Sequence, residues 1–226
     1  MKNNNNKQYW NPSVTTDVVI FTIEKDDLKV LHIKRAHDPF KGLWALPGGF
    51  IHENETSQEA AMRILKEKAG VSNVYIEQLF TFDGKKRDPR GPVISIVYYA
   101  LAPRDKIKFD FTERTQSPQF LSIKKLPNLG FDHKDIINYA WKRLKFKLEY
   151  TNVVYSLLPR EFPFNNLQKA YEIILGHKLD KRNFRKKFVQ LGIIRQTGRI
   201  LKGPRQRPAK LYKFISHKLV ELKKFF

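Results

Sequence analysis

The 226-residue sequence contains no cysteine, which excludes disulfides, thiol nucleophiles and thiolate-bound metals. It has no uninterrupted apolar run of about 18 residues, so no membrane-spanning helix is expected. Its first ten residues, MKNNNNKQYW, lack the apolar centre of a secretory signal and read as a polar tail. A cytoplasmic protein is the expectation. Acidic residues are scarce, 22 against 43 Lys and Arg, for a net charge of +21. The scarcity is uneven. Residues 1–150 carry 25 basic and 18 acidic side chains, whereas residues 151–226 carry 18 and 4. Charge kept only for solubility need not be so lopsided. The asymmetry points to a polyanion-binding unit attached to a less basic one. With 41% apolar residues, global disorder is excluded and a substantial core is expected.

Hydrophobic patterning divides the chain near residue 150. Val14 to Ile23 and Leu28 to Lys34 read as strands joined by the turn Lys25-Asp26-Asp27, making a hairpin. Val74 to Phe82 and Val93 to Leu101 are two further strands, separated by a polar, breaker-rich loop from Asp83 to Pro92. Ser117 to Ile123 reads as a short strand. Asp132 is expected to cap a helix running to Glu149, with Ile136, Ile137, Ala140, Trp141 and Leu144 on one side.

Beyond Tyr150 the pattern changes. Asn152 to Leu158 reads as a short helix. Asn165 or Asn166 is expected to cap a helix over Leu167 to Leu175, ending at Gly176. Asp180 caps another over Lys181 to Leu191, ending at Gly192. Two strands, Ile193 to Gln196 and Ala209 to Ile215, then flank a basic loop. Helix, glycine turn, helix and a two-stranded wing is the order of a winged helix. On the last helix Phe184, Phe188 and Leu191 face the core, while Lys181, Arg182, Asn183, Arg185 and Lys186 lie outward at its start. Arg and Asn match guanine and adenine edges, and Lys matches phosphate. The wing adds Arg195, Arg199, Lys202, Arg205 and Arg207 as candidates for DNA phosphates or a minor groove. A solvated basic face on a protein-binding winged helix fits the same residues. RNA fits less well, because no row of exposed aromatics on strands is evident.

The stretch from Gly49 to Val71, GFIHENETSQEAAMRILKEKAGV, resembles the Nudix box, G-x5-E-x7-R-E-U-x-E-E-x-G-U with U bulky and apolar. Gly49, Glu55, Arg63, Leu65, Glu67, Gly70 and Val71 are in register. Ile64 and Lys68 stand where the family has glutamates. Upstream, Arg35-Ala-His-Asp-Pro-Phe-Lys-Gly-Leu-Trp-Ala-Leu-Pro-Gly-Gly-Phe50 resembles the approach to the box in proteins of the ADP-ribose pyrophosphatase type. Nudix hydrolases use box carboxylates to hold Mg2+, which needs several oxygen ligands. Ile64 can neither bind metal nor act as base, and Lys68 places a cation at the metal position. Glu59, Arg63 and Glu67 also fit a row of surface ion pairs.

The whole arrangement resembles the Nudix-related transcriptional regulators of bacteria. That resemblance implies an α/β/α sandwich with a mixed sheet over residues 1–150 and a winged helix-turn-helix over 151–226. It implies a non-catalytic sensor domain, a homodimer, a palindromic double-stranded DNA operator and a small effector, without membrane contact. Neither a catalytic residue nor a metal or cofactor is expected, with Mg2+ reserved for the alternative of an active hydrolase. One branch senses ADP-ribose; a sugar-responsive branch of Bacteroidetes, with L-arabinose as effector, is the closer resemblance.

A sugar site needs hydrogen-bonding groups and an aromatic platform. Asp17, Arg35, Trp44, His52, Glu55, Asp83 and Tyr98 are the candidates. Trp44 also fits a core position, and His52 with Glu55 also fits a loop-holding pair. Asp17 is the least comfortable as structure, because a carboxylate within an apolar strand needs a partner. ADP-ribose instead favours cations near its diphosphate, and Arg35, Lys68 and Lys85 are the candidates.

Overall fold

The computed structural model describes residues 11–107, 118–203 and 206–222. The N-terminal tail and Ser117 lie outside these. β1 (Ser13–Glu24) is buried along most of its length because both of its faces are covered. Val18 and Ile20 join one apolar cluster, Val19 and Phe21 the other. β2 (Asp27–Lys34) follows through a two-residue turn in which Lys25 and Asp26 have φ of 51° and 63°. Positive φ at both positions is the type I′ geometry that suits the twist of a hairpin. β3 (Trp44–Ala45), β4 (Gly48–Phe50), β5 (Tyr75–Phe82), β6 (Val93–Leu101) and β7 (Gln119–Ser122) complete the sheet. Its order is β3-β2-β1-β6-β5, with β4 on β1 and β7 on β2. β1 and β6 run parallel and the other pairs antiparallel, so the sheet is mixed.

α1 (Ser57–Ala69) covers one face and α2 (His133–Tyr150) the other. Thr56 caps α1 in a full capping box with Glu59, and Gly70 ends it at φ 59°. Asp132 precedes α2 as expected but makes no side-chain cap, because its carboxylate is bound elsewhere.

The second unit comprises a 3-10 turn (Val153–Leu157), β8 (Phe162–Pro163), α3 (Phe164–Leu175), α4 (Lys181–Leu191), β9 (Ile194–Gly203) and β10 (Gln206–Phe214). Neither Asn165 nor Asn166 caps α3, which starts earlier, at Phe164. The Phe164 ring meets those of Phe184, Phe188 and Tyr212 at centroid distances of 5.9, 6.2 and 5.6 Å, so packing fixes the start. Asp180 does cap α4, accepting from the Asn183 N–H at 2.8 Å. The wing differs from expectation. Strand pairing runs to Gly203 and resumes at Gln206, so most of the expected loop is hairpin. Gly198, at φ 79°, lies where the register shifts and lets the strand continue past a bulge.

One apolar cluster crosses residue 150. It joins Phe21, Val30 and Val97 of the sheet to Ile136, Ala140 and Leu144 of α2, and on to Leu167, Tyr171, Phe184 and Phe188. The Trp141 Nε1–H donates to the Ile174 carbonyl at 2.9 Å, fastening α2 to α3. Lys169 pairs with Asp26 across the same boundary.

Candidate functional site: an arginine pocket and a basic winged helix

A pocket of about 160 Å3 opens near the start of β1, lined by residues from β1, β2, the Pro47–Phe50 turn, the loop 83–92 and the start of α2. At its centre is Asp17, 7% exposed, which accepts a 2.6 Å hydrogen bond from the Ser95 hydroxyl. Gly48 lies directly against it: a Cβ at Gly48 would stand 2.0 Å from Asp17 Oδ1. Arg87 forks onto Asp132 at 3.0 and 2.9 Å and lies 3.6 Å from Asp17. This is the partner that a buried carboxylate requires. His133 accepts the Leu46 N–H on Nδ1 at 2.9 Å, leaving Nε2 facing Asp17 at 3.8 Å. Burial pushes the His133 pKa down, so its ring is neutral at pH 7.

Two more guanidiniums complete the wall. Arg90 forks onto Asp88 at 3.0 and 2.7 Å and lies over the rings of Phe50 and Phe131, at 5.6 and 5.8 Å. Arg35 lies 4.7 Å from the Phe131 centroid and donates to the Pro39 carbonyl at 2.6 Å. Burial first, and the neighbouring Arg90 charge second, lower the Arg35 pKa. Phe50 remains 46% exposed, an aromatic face presented beside three arginines. Such a pocket offers charge for an anion, a flat surface for a ring and a buried carboxylate for hydroxyls.

Of the residues expected from sequence, Asp17 and Arg35 line this pocket and the others do not. Tyr98 is buried in the α1-side cluster, with its hydroxyl 2.9 Å from that of Ser57. Trp44 is tied by its backbone to Leu129 and Gly130. Asp83 and Lys85 are exposed on the loop. His52 gives its N–H to Glu55 at 2.9 Å, so this pair holds the box loop. Sequence reasoning missed Phe50, Arg87, Asp88, Arg90, Phe131 and His133. The breaker-rich loop is conspicuous in the sequence, yet nothing in one dimension shows that it meets the start of α2 at Asp17.

Glu55 and Glu59 are committed to structure. Glu55 binds the Arg63 fork at 2.7 and 2.8 Å, and Arg63 also donates to the Phe50 carbonyl at 3.1 Å. This pairing drops the Glu55 pKa to about 2. Glu59 closes the capping box instead of pairing with Arg63, and half-exposed Glu67 is 3.8 Å from Arg63. Ile64 is 1% exposed, packed in the core between α1 and the sheet. Lys68 lies on the last turn of α1, outside the pocket. These side chains do not fit a Mg2+ site, which needs several free oxygen donors. Among the described residues no three His, Asp or Glu side chains cluster as metal ligands.

On the second unit α4 buries Phe184 and Phe188 and exposes Lys181, Arg182, Asn183, Arg185 and Lys186. Arg185 is braced: it donates to the Tyr212 hydroxyl at 2.8 Å and lies over the Phe164 ring at 4.9 Å. Arg195, Arg199 and Lys202 are exposed along β9, where Arg199 pairs with Glu161 at 3.4 Å. Arg207 falls on β10, and Arg205 lies outside the described residues. No helix among the described residues is long and apolar enough to cross a membrane.

Known proteins match both units. Residues 13–140 match the NUDIX domain, and residues 154–214 match the NrtR DNA-binding winged helix domain. The chain is 37% identical over 213 residues to the ADPR responsive transcriptional repressor NtrR of Acinetobacter baylyi, covering 91% of this chain and 83% of that one. It is 40% identical over 136 residues to the ADP-ribose pyrophosphatase of Methanocaldococcus jannaschii, covering 59% and 77%. The crystal structure of Shewanella oneidensis NrtR complexed with a 27mer DNA superposes with a TM-score of 0.80 at 34% identity, covering 89% of this chain and 93% of that one. The expected closeness to a sugar-responsive branch finds no support here, because two of these relatives are named for ADP-ribose and none for a sugar. A Nudix sheet, a winged helix in the same order and similarity across most of a regulator's length lead to one assignment: the chain belongs to the NrtR family, Nudix domains followed by a DNA-binding winged helix.

Proposed function

We propose that this protein is a DNA-binding transcriptional repressor whose Nudix domain senses ADP-ribose without hydrolysing it. The observation that carries the reading is the grouping of Arg35, Arg87 and Arg90 beside the Phe50 and Phe131 rings. Arg87 and Arg90 are each paired with a carboxylate and Arg35 donates to backbone carbonyls; a diphosphate adds charge-assisted hydrogen bonds to these guanidiniums, which a neutral pentose does not. The rings suit adenine, and Asp17 suits a ribose hydroxyl. The named relatives support the same ligand. On the second unit the exposed start of α4 enters the major groove and the β9–β10 hairpin follows phosphates. The operator is palindromic and the protein binds it as a dimer, matching two half-sites to a two-fold axis.

The test is a thermal-shift comparison. ADP-ribose at about 100 times its Kd stabilises by roughly 2.7 kcal/mol. That raises Tm by about 5–10 °C for a chain of this size. L-Arabinose at the same concentration leaves Tm unchanged. A shift with arabinose and none with ADP-ribose reverses the assignment of ligand. The similarity to an ADP-ribose pyrophosphatase keeps one other reading in view, an active hydrolase with a basic appendage. Incubation of ADP-ribose with protein and saturating Mg2+ separates the two: intact ADP-ribose supports a sensor, and release of AMP supports the hydrolase.

A further inference from the structure

Asp132 stands where a helix cap belongs, yet its carboxylate caps nothing. Both oxygens are given to Arg87, whose side chain is 5% exposed in the wall of the pocket. The next residue, His133, faces Asp17 with one ring nitrogen and holds the Leu46 N–H with the other. The first turn of α2 is therefore fastened to the pocket at two points. Eighteen residues at about 1.5 Å each make α2 about 27 Å long. Further along, Trp141 donates to Ile174 of α3, and Ile136, Ala140 and Leu144 share their apolar cluster with Phe184 and Phe188 of α4. One rigid helix thus touches the ligand pocket at its start and the DNA-binding unit along its side.

We propose that Asp132 is the positioning residue that couples the two sites: an anion in the pocket draws Arg87 away from Asp132, and α2 carries the change to the winged helix. The inference rests on the proposed function and deepens its regulation. In the structure as it stands, Arg87 is shared between two carboxylates, tightly with Asp132 and at 3.6 Å with Asp17. A diphosphate among Arg35, Arg87 and Arg90 adds a third and stronger claim on that guanidinium. Once released, Asp132 becomes free to cap the α2 N-terminus, as its position in the sequence invites. The two arrangements, Arg87 on Asp132 and Asp132 on α2, are alternatives in geometry: with both oxygens turned to Arg87, the side chain accepts no N–H of α2. This is the two-state element that coupling between distant sites requires.

Linkage makes the proposal measurable, because the factor by which ADP-ribose changes the Kd for DNA equals the factor by which DNA changes the Kd for ADP-ribose. The full chain is titrated with a duplex selected from a random pool by the wild-type protein, with and without ADP-ribose, and with ADP-ribose with and without the duplex. Wild type is expected to show a coupling factor of about 5–150. Asp132→Asn keeps the shape and the capping ability but gives up the charge that holds Arg87. Without ligand its Kd for DNA is expected to approach that of ADP-ribose-loaded wild type, and its coupling factor to fall toward 1. Arg90→Ala, which touches the pocket but not α2, is expected to weaken ADP-ribose binding and leave the coupling factor intact. A wild-type factor above 5 that persists in Asp132→Asn overturns this inference and leaves the proposed function standing. A wild-type factor of 1 overturns both. Should Asp132→Asn not fold, Asp132→Ser, which can cap a helix but cannot hold a guanidinium fork, gives the same comparison.

Discussion

Gly48 and Gly49 are neighbours in sequence, and only Gly49 belongs to the Nudix signature, yet the structure assigns the steric constraint to Gly48. A Cβ at Gly48 would stand 2.0 Å from Asp17 Oδ1 and 3.1 Å from the Thr16 carbonyl, whereas one at Gly49 meets nothing within 4 Å. Asp17 cannot simply turn aside, because Ser95, Arg87 and His133 surround it. Gly48→Ala therefore displaces a buried carboxylate from its 2.6 Å hydrogen bond with Ser95. A hydrogen bond to a charged group contributes about 1.5–3 kcal/mol, and the overpacking adds about 1–3 kcal/mol. Taking about 3 kcal/mol as the net, and about 2–4 °C per kcal/mol for a chain of this length, Tm falls by about 6–12 °C. Gly49→Ala changes stability by less than about 0.5 kcal/mol. Chemical denaturation of both variants measures this, and a double-mutant cycle identifies the cause. In an Asp17→Ala background the cost of Gly48→Ala shrinks to under about 1 kcal/mol, because the clashing carboxylate is gone. If Gly48→Ala melts within about 2 °C of wild type, or costs as much without Asp17 as with it, the steric account of this pocket is wrong.

The remaining predictions concern other parts of the molecule. His32 is fully buried and its pKa falls from 6.5 to about 4, chiefly through desolvation. A lowered histidine pKa means that the unfolded chain takes up the proton first. Stability is therefore lost as pH falls from about 6.5 to about 4, by on the order of 3 kcal/mol. His32→Leu flattens much of that slope in urea titrations, with buried His133 retaining part of it; an unchanged slope counts against His32. Arg63→Ala raises the Glu55 pKa from about 2 toward its ordinary 4.5, as read by NMR titration of the carboxyl carbon. Because the folded pKa is depressed, the Glu55–Arg63 contribution is present above pH 4.5 and disappears as pH falls through about 2. Phe188→Ala destabilises by about 3–5 kcal/mol, since its fully buried ring meets Phe164, Tyr171 and Phe184. Lys186→Ala leaves stability within about 0.5 kcal/mol, weakens DNA binding and lowers the slope of log K against log salt by about 0.9; an unaltered slope removes Lys186 from the phosphate contacts.

Local features were legible because local physics sets them. The Lys25-Asp26 hairpin, the helix ends at Gly176 and Gly192 and the Asp180 cap need only a few adjacent residues. The errors arose where distant chain segments compete for the same group. Asp132 was expected to cap α2, but an ion pair with Arg87, 45 residues away, takes its carboxylate. Asn165 and Asn166 were good cap residues overruled by the burial of Phe164. Tyr98 is a polar-edged aromatic of the kind that binds sugars, and strand register puts it on the α1 face of the sheet, opposite Asp17.

The sequence alone determined two units, their order, the loss of box carboxylates at Ile64 and Lys68, and where the positive charge lies. Each follows from residue type and spacing, which survive without coordinates. The tertiary structure decided which cations form the pocket. Arg87, Arg90 and Phe131 come from loops that acquire a common centre only when β1 is inserted between β2 and β6 and α2 closes over the sheet. It also decided that Ile64 is a core residue, and that one apolar cluster runs from the Nudix sheet to the winged-helix helices. Pockets and shared cores arise from long-range packing, and packing depends on which surfaces meet, which no stretch of sequence records.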